Sequence, residues 1–207
     1  MKRSKKFIYL ISPSKINKKT FFKILSALLI QNKISYFQLR LKNYREREII
    51  QIGKETLKIC KKYKVKLIIN DEPRIAKLVN ADGCHLGQKD IKIREARKIL
   101  KNKIIGVTCH NSIKLVTKSI KDGADYVALG SFFRSKTKKS KFRANTKIIS
   151  KVQKATRKPM VLIGGINSKN YKKLLLHKPN FLAISGYIWK NSKLSPEEAL
   201  IKLNYEN

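Results

Sequence analysis

Short apolar runs recur along this chain, and each ends in polar residues or glycines before a segment of helix length. Residues 34–37 lead into Gln38-Leu39-Arg40-Leu41-Lys42, and residues 65–69 lead into Asn70-Asp71. Residues 84–86 run into Gly87-Gln88-Lys89-Asp90, and residues 160–163 into Gly164-Gly165. The pattern predicts strands over 7–12, 34–39, 65–70, 83–87, 104–109, 126–131, 160–164 and 181–185. The third run is aliphatic with little alternation, which suits a parallel strand buried on both faces. Helices are predicted over 18–31, 45–63, 74–79, 93–101, 112–121, 146–156 and 169–177. The clearest has Ile49, Ile52, Thr56, Ile59, Cys60 and Tyr63 at three-to-four-residue spacing, which forms one helix face. A last helix opens at Ser195-Pro196-Glu197-Glu198, where serine at the N-cap, proline at N1 and glutamate at N3 make a capping box.

Strand and helix alternate eight times with no linker or shift in composition. The expected architecture is α/β, a single-domain (β/α)8 TIM barrel spanning 1–207. Such barrels carry their active sites at the C-terminal ends of the strands, where the acids, bases and glycines of this chain fall. The longest irregular stretch, 132–145, follows the sixth strand and is rich in Lys, Ser and Thr. A connection of that length in a compact barrel reads as a lid over the site rather than as a solvated link.

Composition changes this picture in one respect. Lys and Arg number 49 against 13 Asp and Glu, a formal charge of +36. Charge of this sign attracts phosphates, which raises nucleic-acid binding as a function class. The basic residues are spread over every segment, however, with no zinc-finger spacing, no aromatic run of the RNA-binding kind and no basic tail. The excess therefore reads as a compositional habit that also favours anionic substrates. Affinity for duplex DNA should be non-specific and collapse between low and physiological salt. Sequence-dependent binding that survives the higher salt would restore the nucleic-acid reading.

Cys60, Cys84 and Cys109 are odd in number and lack C-x-x-C spacing, so buried thiols in a reducing compartment are expected. The apolar start is cut short at Pro13, and no apolar stretch reaches membrane-spanning length. The expectation is a cytoplasmic protein without a membrane partner.

The candidate chemistry lies at the strand ends. Arg40 and Lys42 sit two apart with Gln38 alongside, an arrangement suited to a polyphosphate, although two cations in so basic a chain can equally be surface residues. Asp71 and Asp90 end neighbouring strands, and paired carboxylates beside cations suit Mg2+; either could instead cap the helix that follows. Ser135, Thr137 and Lys138 offer hydroxyls and a cation. Gly164-Gly165 and Ser185-Gly186 allow close backbone approach after the seventh and eighth strands, where barrels of this kind bind phosphate. His85 reads as a satisfied core histidine, and His177 as a helix-end cap. His110 is either a substrate contact or a loop hydrogen-bonding group.

Taken in order, several motifs resemble the thiamine-phosphate synthase family over nearly the whole chain. They are Gln38-Leu39-Arg40-x-Lys42, Asn70-Asp71, Ala81-Asp82-Gly83-x-His85-Leu86-Gly87-Gln88-x-Asp90, Gly106-Val107-Thr108-x-His110, Gly123–Val127 and Gly164-Gly165-Ile166. The resemblance implies a transferase of thiamine biosynthesis. It would join 4-amino-2-methyl-5-(diphosphooxymethyl)pyrimidine to thiazole phosphate, giving thiamine phosphate and diphosphate. It further implies that Gln38, Leu39, Arg40, Leu41 and Lys42 bind the pyrimidine diphosphate. Asn70 and Thr108 would contact substrate, and Asp71 and Asp90 would hold Mg2+. Ser135, Thr137, Gly165, Ser185 and Gly186 would contact the thiazole phosphate, with Lys138 on the diphosphate and Lys136 binding substrate from the same loop. Arg40, Lys42 and Lys138 would be the catalytic cations. The chain departs from the family pattern at Glu72, Ser131, Arg134 and Ser135, and it has Thr108 in place of a serine. A sister family, the thiazole tautomerases, shares the barrel but tends to lose the acids at the positions of Asp71 and Asp90. The sequence leaves a homo-oligomer open.

Overall fold

The computed structural model describes residues 6–134 and 143–204. In chain order the elements are β1 (Ile8–Ile11), α1 (Lys18–Leu29), β2 (Ile34–Leu39), α2 (Glu46–Lys62), β3 (Lys66–Asn70), α3 (Pro73–Val79), β4 (Gly83–Leu86) and α4 (Ile93–Leu100). There follow β5 (Ile104–His110), α5 (Ile113–Lys121), β6 (Tyr126–Gly130), α6 (Lys147–Ala155), β7 (Met160–Ile163), α7 (Tyr171–Leu175), β8 (Phe181–Ile184), α8 (Gly186–Trp189) and α9 (Pro196–Ile201). Each strand pairs in parallel with the next, and β8 pairs with β1, which closes the barrel. The (β/α)8 expectation therefore holds. Among the described helices, none is long and apolar enough to cross a membrane.

Strand alternation sorts the apolar side chains into two cores. Ile8, Leu10, Phe37, Leu39, Leu67, Ile69, Val107, Val127, Leu129 and Leu182 face outward and pack under the helices. Tyr9, Ile11, Ile68, Tyr126, Ala128, Val161 and Ala183 fill the barrel itself. The aliphatic continuity of β3 follows from this: both of its faces are covered.

The helix ends mostly follow the predicted signals. Ser195 Oγ accepts from the Glu198 amide at 3.2 Å, and Glu198 Oε2 accepts from the Ser195 amide at 2.8 Å, which completes the capping box of α9. The Ser112 side chain caps α5. Two differences stand out. The seventh helix is only Tyr171–Leu175, because Asn167 and Asn170 side chains tie the preceding residues into turns. Accordingly His177 lies beyond the helix, where its backbone amide donates to Leu174 O. The one-turn helix α8 was not anticipated from the sequence; Trp189 Nε1 donates to Ile11 O at 2.8 Å and pins it across the end of β1.

The N-terminal face is locked by a repeated device. Asp82 Oδ2 accepts from Leu67 N, Asp125 Oδ2 from Ile105 N, and Asn180 Oδ1 from Met160 N, each at 2.8–2.9 Å. In each case the residue before one strand holds the start of its neighbour. Arg97 adds hydrogen bonds to Asp125, Gly123 O and Lys103 O. These acids of the Ala81-Asp82-Gly83 and Gly123–Val127 motifs therefore serve stability at the end away from the site.

Candidate active site

The C-terminal ends of β2, β3 and β4 bring Arg40, Asp71 and Asp90 into mutual range. Asp71 follows β3 directly, with φ +64°, a left-handed conformation that aspartate tolerates better than most residues. Its amide donates to His85 O at 2.8 Å, which fastens the β3 end to β4. Its half-buried carboxyl is pushed up to about 6, first by burial and then by the neighbouring Asp90 carboxyl, which stands within hydrogen-bonding reach. The Arg40 charge and a hydrogen bond from the Asn70 side chain oppose that rise.

Asp90 Oδ2 also accepts from Gly87 N at 2.6 Å, so the carboxylate is oriented by the loop it belongs to. Neither acid is a helix cap. The N-cap residue of α3 is Glu72 and that of α4 is Lys92. The capping alternative thus falls away, and two carboxylates remain side by side at the barrel mouth. Among the described residues, no group of three or more His, Cys, Asp and Glu side chains gathers around a metal position. A site here would rest on these two acids plus oxygens from elsewhere.

The Gln38–Lys42 segment divides by strand geometry. Gln38 points into the barrel and is 2% exposed, its Nε2 donating to Tyr9 Oη at 3.1 Å. Leu39 and Leu41 turn outward into the core under the helices, so a substrate could meet only their backbone. Because β2 ends at Leu39, Arg40 and Lys42 lie past the strand and its alternation. Arg40 is half-buried, with its amide donating to Ser12 Oγ at 2.8 Å. Lys42 is exposed, and its amide donates to Ser14 O.

His85 is neither an isolated core residue nor a surface one. Its Nδ1 pairs with Tyr126 Oη and its Nε2 with Thr108 Oγ1, both at 2.8 Å. Burial pushes its pKa down to about 4, so the ring is neutral at ordinary pH. The Thr108 hydroxyl expected at the substrate is therefore partnered from below. His110 ends β5 at φ +52°, just after the β5–β6 register slips, which takes it out of simple strand alternation.

At the opposite side of the mouth, Gly164 and Gly165 have φ of +112° and +62°. A Cβ on Gly164 would lie 2.1 Å from Ser131 Oγ, and one on Gly165 would lie 2.2 Å from Arg134 O. The close approach these glycines permit is thus by the chain itself, as residues 131–134 cross over the end of β7. Ser185 precedes α8 and donates to Ser12 O at 3.3 Å, with Gly186 next to it. Ser135, Lys136, Thr137 and Lys138 lie outside the described residues.

Sequence reasoning missed Tyr9 and Tyr126. Both are buried inside the barrel and hydroxyl-bonded to each other at 2.8 Å. The available signal was strand parity: each shares the inward face with residues already singled out.

A family model described as thiamine monophosphate synthase matches residues 8–188. The chain belongs to that family. It is 58% identical to the thiamine-phosphate synthase of Pelagibacter ubique over 202 residues, covering 98% of both chains. It is 35% identical to the enzyme of the same name from Rhodospirillum centenum, covering 95% of each. Among solved structures it resembles the thiamine phosphate pyrophosphorylase of Pyrococcus furiosus, with TM-score 0.83, 26% identity and coverage of 97% of this chain and 94% of that one. Membership spans the barrel from β1 to α8, so it includes every strand end that carries a candidate site residue.

Proposed function

We propose that the chain is a thiamine-phosphate synthase. It transfers the aminopyrimidine methylene group from diphosphate to the ring nitrogen of thiazole phosphate, releasing diphosphate. The observation that carries this reading is the pairing of Asp71 with Asp90 beside Arg40, in a chain that belongs to the thiamine monophosphate synthase family. The tautomerase and nucleic-acid readings have no comparable support.

The two acids fit a divalent cation. Burial first and then the neighbouring Asp90 carboxyl push the Asp71 carboxyl up, and a bound Mg2+ would relieve this strain on the charged form. Mg2+ typically takes one or two carboxylates and completes its shell with water and substrate phosphate. When bound, it would neutralise charge on the diphosphate. Asp71 and Asp90 would hold it, with Asn70 orienting the Asp71 carboxylate.

Arg40 and Lys42 bind the diphosphate oxygens as the carbon–oxygen bond lengthens. Charge accumulates on those oxygens, so fixed cations favour the transition state over the ground state. Lys138 serves the same charge from the connection after β6. The departing diphosphate leaves a pyrimidinylmethyl cation, which the thiazole nitrogen captures. That nitrogen carries no proton to be removed, so no general base is required. Ser135, Thr137, Gly165, Ser185 and Gly186 are assigned to the thiazole phosphate, and Lys136 to substrate binding in the same loop.

Supplying both precursors, with Mg2+ and with a chelator instead, tests the proposal. Thiamine phosphate and diphosphate should form together in the presence of Mg2+. No product under any divalent-cation condition would overturn it. Within the connection after β6, Thr137→Ala should mainly raise KM for thiazole phosphate. Lys138→Ala should mainly lower kcat, because it loses an interaction that strengthens as charge develops. Wild-type kinetics in both variants would remove these residues from the site.

A further inference from the structure

A continuous line of hydrogen bonds crosses the barrel interior below the site. Gln38 Nε2 meets Tyr9 Oη at 3.1 Å, Tyr9 Oη meets Tyr126 Oη at 2.8 Å, Tyr126 Oη meets His85 Nδ1 at 2.8 Å, and His85 Nε2 meets Thr108 Oγ1 at 2.8 Å. The line joins β2 to β5 through β1, β6 and β4. Its inner members are shut off from solvent, Tyr9 at 2% and Tyr126 at 4% exposure. The barrel makes room for it. Gly106 lies beside Tyr126 in the β5–β6 register, and a Cβ there would stand 1.8 Å from the phenol Cζ. The Tyr126 and His85 rings lie nearly parallel, 25° apart.

Such a line has only two consistent polarities. Each hydroxyl has one hydrogen, and a neutral imidazole has one donor and one acceptor nitrogen. Two donors facing each other in a buried site would leave a bond unmade, which is costly. A glutamine NH2 can only donate, so the Gln38 end sets the direction. Gln38 donates to Tyr9, Tyr9 to Tyr126, Tyr126 to His85 Nδ1, and His85 Nε2–H to Thr108. The Gln38 carbonyl oxygen and the Thr108 hydroxyl hydrogen are then the two end groups whose bonding capacity the line leaves unused.

We propose that Tyr9, Tyr126 and His85 are positioning residues that form a one-way hydrogen-bond relay, through which Gln38 as an acceptor and Thr108 as a donor are presented to substrate as a matched pair. The proposal rests on the preceding reading only in taking Gln38 and Thr108 as substrate contacts. An aminopyrimidine offers an amine donor and ring-nitrogen acceptors, the complement of that pair. Reversing the relay would spend the Thr108 hydrogen on His85 and leave Thr108 able only to accept.

The tautomer of His85 reads the polarity without reference to activity. In nitrogen-15 spectra of histidine-labelled protein at pH 9.5, the wild type should show hydrogen on Nε2. Gln38→Leu removes the amide but leaves Tyr9 no upstream acceptor, so that tautomer should persist. In Gln38→Glu, once its carboxylate is ionised, the side chain can only accept. The relay should reverse, and the hydrogen should move to Nδ1. Adding Tyr126→Phe cuts the line, so Gln38→Glu should no longer control the ring. Hydrogen on Nδ1 in the wild type would overturn the proposal, a result that needs no variant to fold. An unchanged tautomer in Gln38→Glu with the carboxylate ionised, or a change that survives Tyr126→Phe, would also overturn it. Loss of synthase activity with the tautomers as expected would count against the functional reading alone.

Discussion

Asp71→Asn and Asp90→Asn each lower turnover by roughly 10²–10³-fold, equivalent to about 3–4 kcal/mol of barrier, while the barrel stays folded. The expectation comes from two of the scarce acids meeting at one edge of the mouth, where each is oriented by its own partner. Steady-state rates at limiting Mg2+ measure it, and wild-type rates in both variants would remove the metal role. The same pair predicts a pH effect on stability. The Asp71 carboxyl is raised to about 6 in the folded state, above its value in the unfolded chain. The folded protein therefore holds the extra proton between about pH 4 and pH 6. Stability from this group is fully present at the acid end and is lost as pH rises through about 6. Because the site is only half-buried, the loss is expected to be near ~1 kcal/mol. Denaturant unfolding in chelator should find Asp90→Asn more stable than wild type at pH 8, with the difference vanishing near pH 4. A more stable wild type at pH 8 would contradict the pairing.

Gly106→Ala should unfold the protein more readily than any surface change, by about 3 kcal/mol or more. The added methyl would sit 1.8 Å from Tyr126 Cζ and 2.2 Å from its hydroxyl oxygen, inside a closed barrel where neither strand can retreat. The ring would have to move, which would break its bonds to Tyr9 and His85 as well. Urea unfolding, or soluble yield where the variant fails to fold, measures the loss. Tyr126→Val in the same chain removes the ring that the methyl meets and should recover part of it. A midpoint unchanged in Gly106→Ala would mean that the ring has space the structure does not show.

Legibility differed from place to place for physical reasons. The helix spanning Glu46–Lys62 was evident because its buried positions repeat every three or four residues and glutamates occupy its first turn. The seventh helix was overestimated because its length is set by Asn167 and Asn170 side chains bonding to backbone, a local competition that hydrophobic spacing does not report. Leu39 and Leu41 were grouped with Gln38 and Arg40 by motif. Strand parity sends Leu39 outward and Gln38 inward, and Leu41, past the end of β2, packs against the outer core as well.

By itself the sequence determined the eightfold strand–helix alternation, the family, and the acids and cations that end β2, β3 and β4. These are local properties: a residue's type and its distance from a strand end suffice to read them. Only the tertiary structure decided that Asp71 and Asp90 are neighbours rather than helix caps. It alone decided that Gly164 and Gly165 make room for residues 131–134, and that Tyr9, Tyr126, His85 and Thr108 form one line. Those pairings join residues as far as 117 positions apart, and barrel closure and register set them. A hydroxyl inside a barrel is polar and expensive to leave unpaired, so its partner is chosen by geometry across the lumen, which no spacing along the chain encodes.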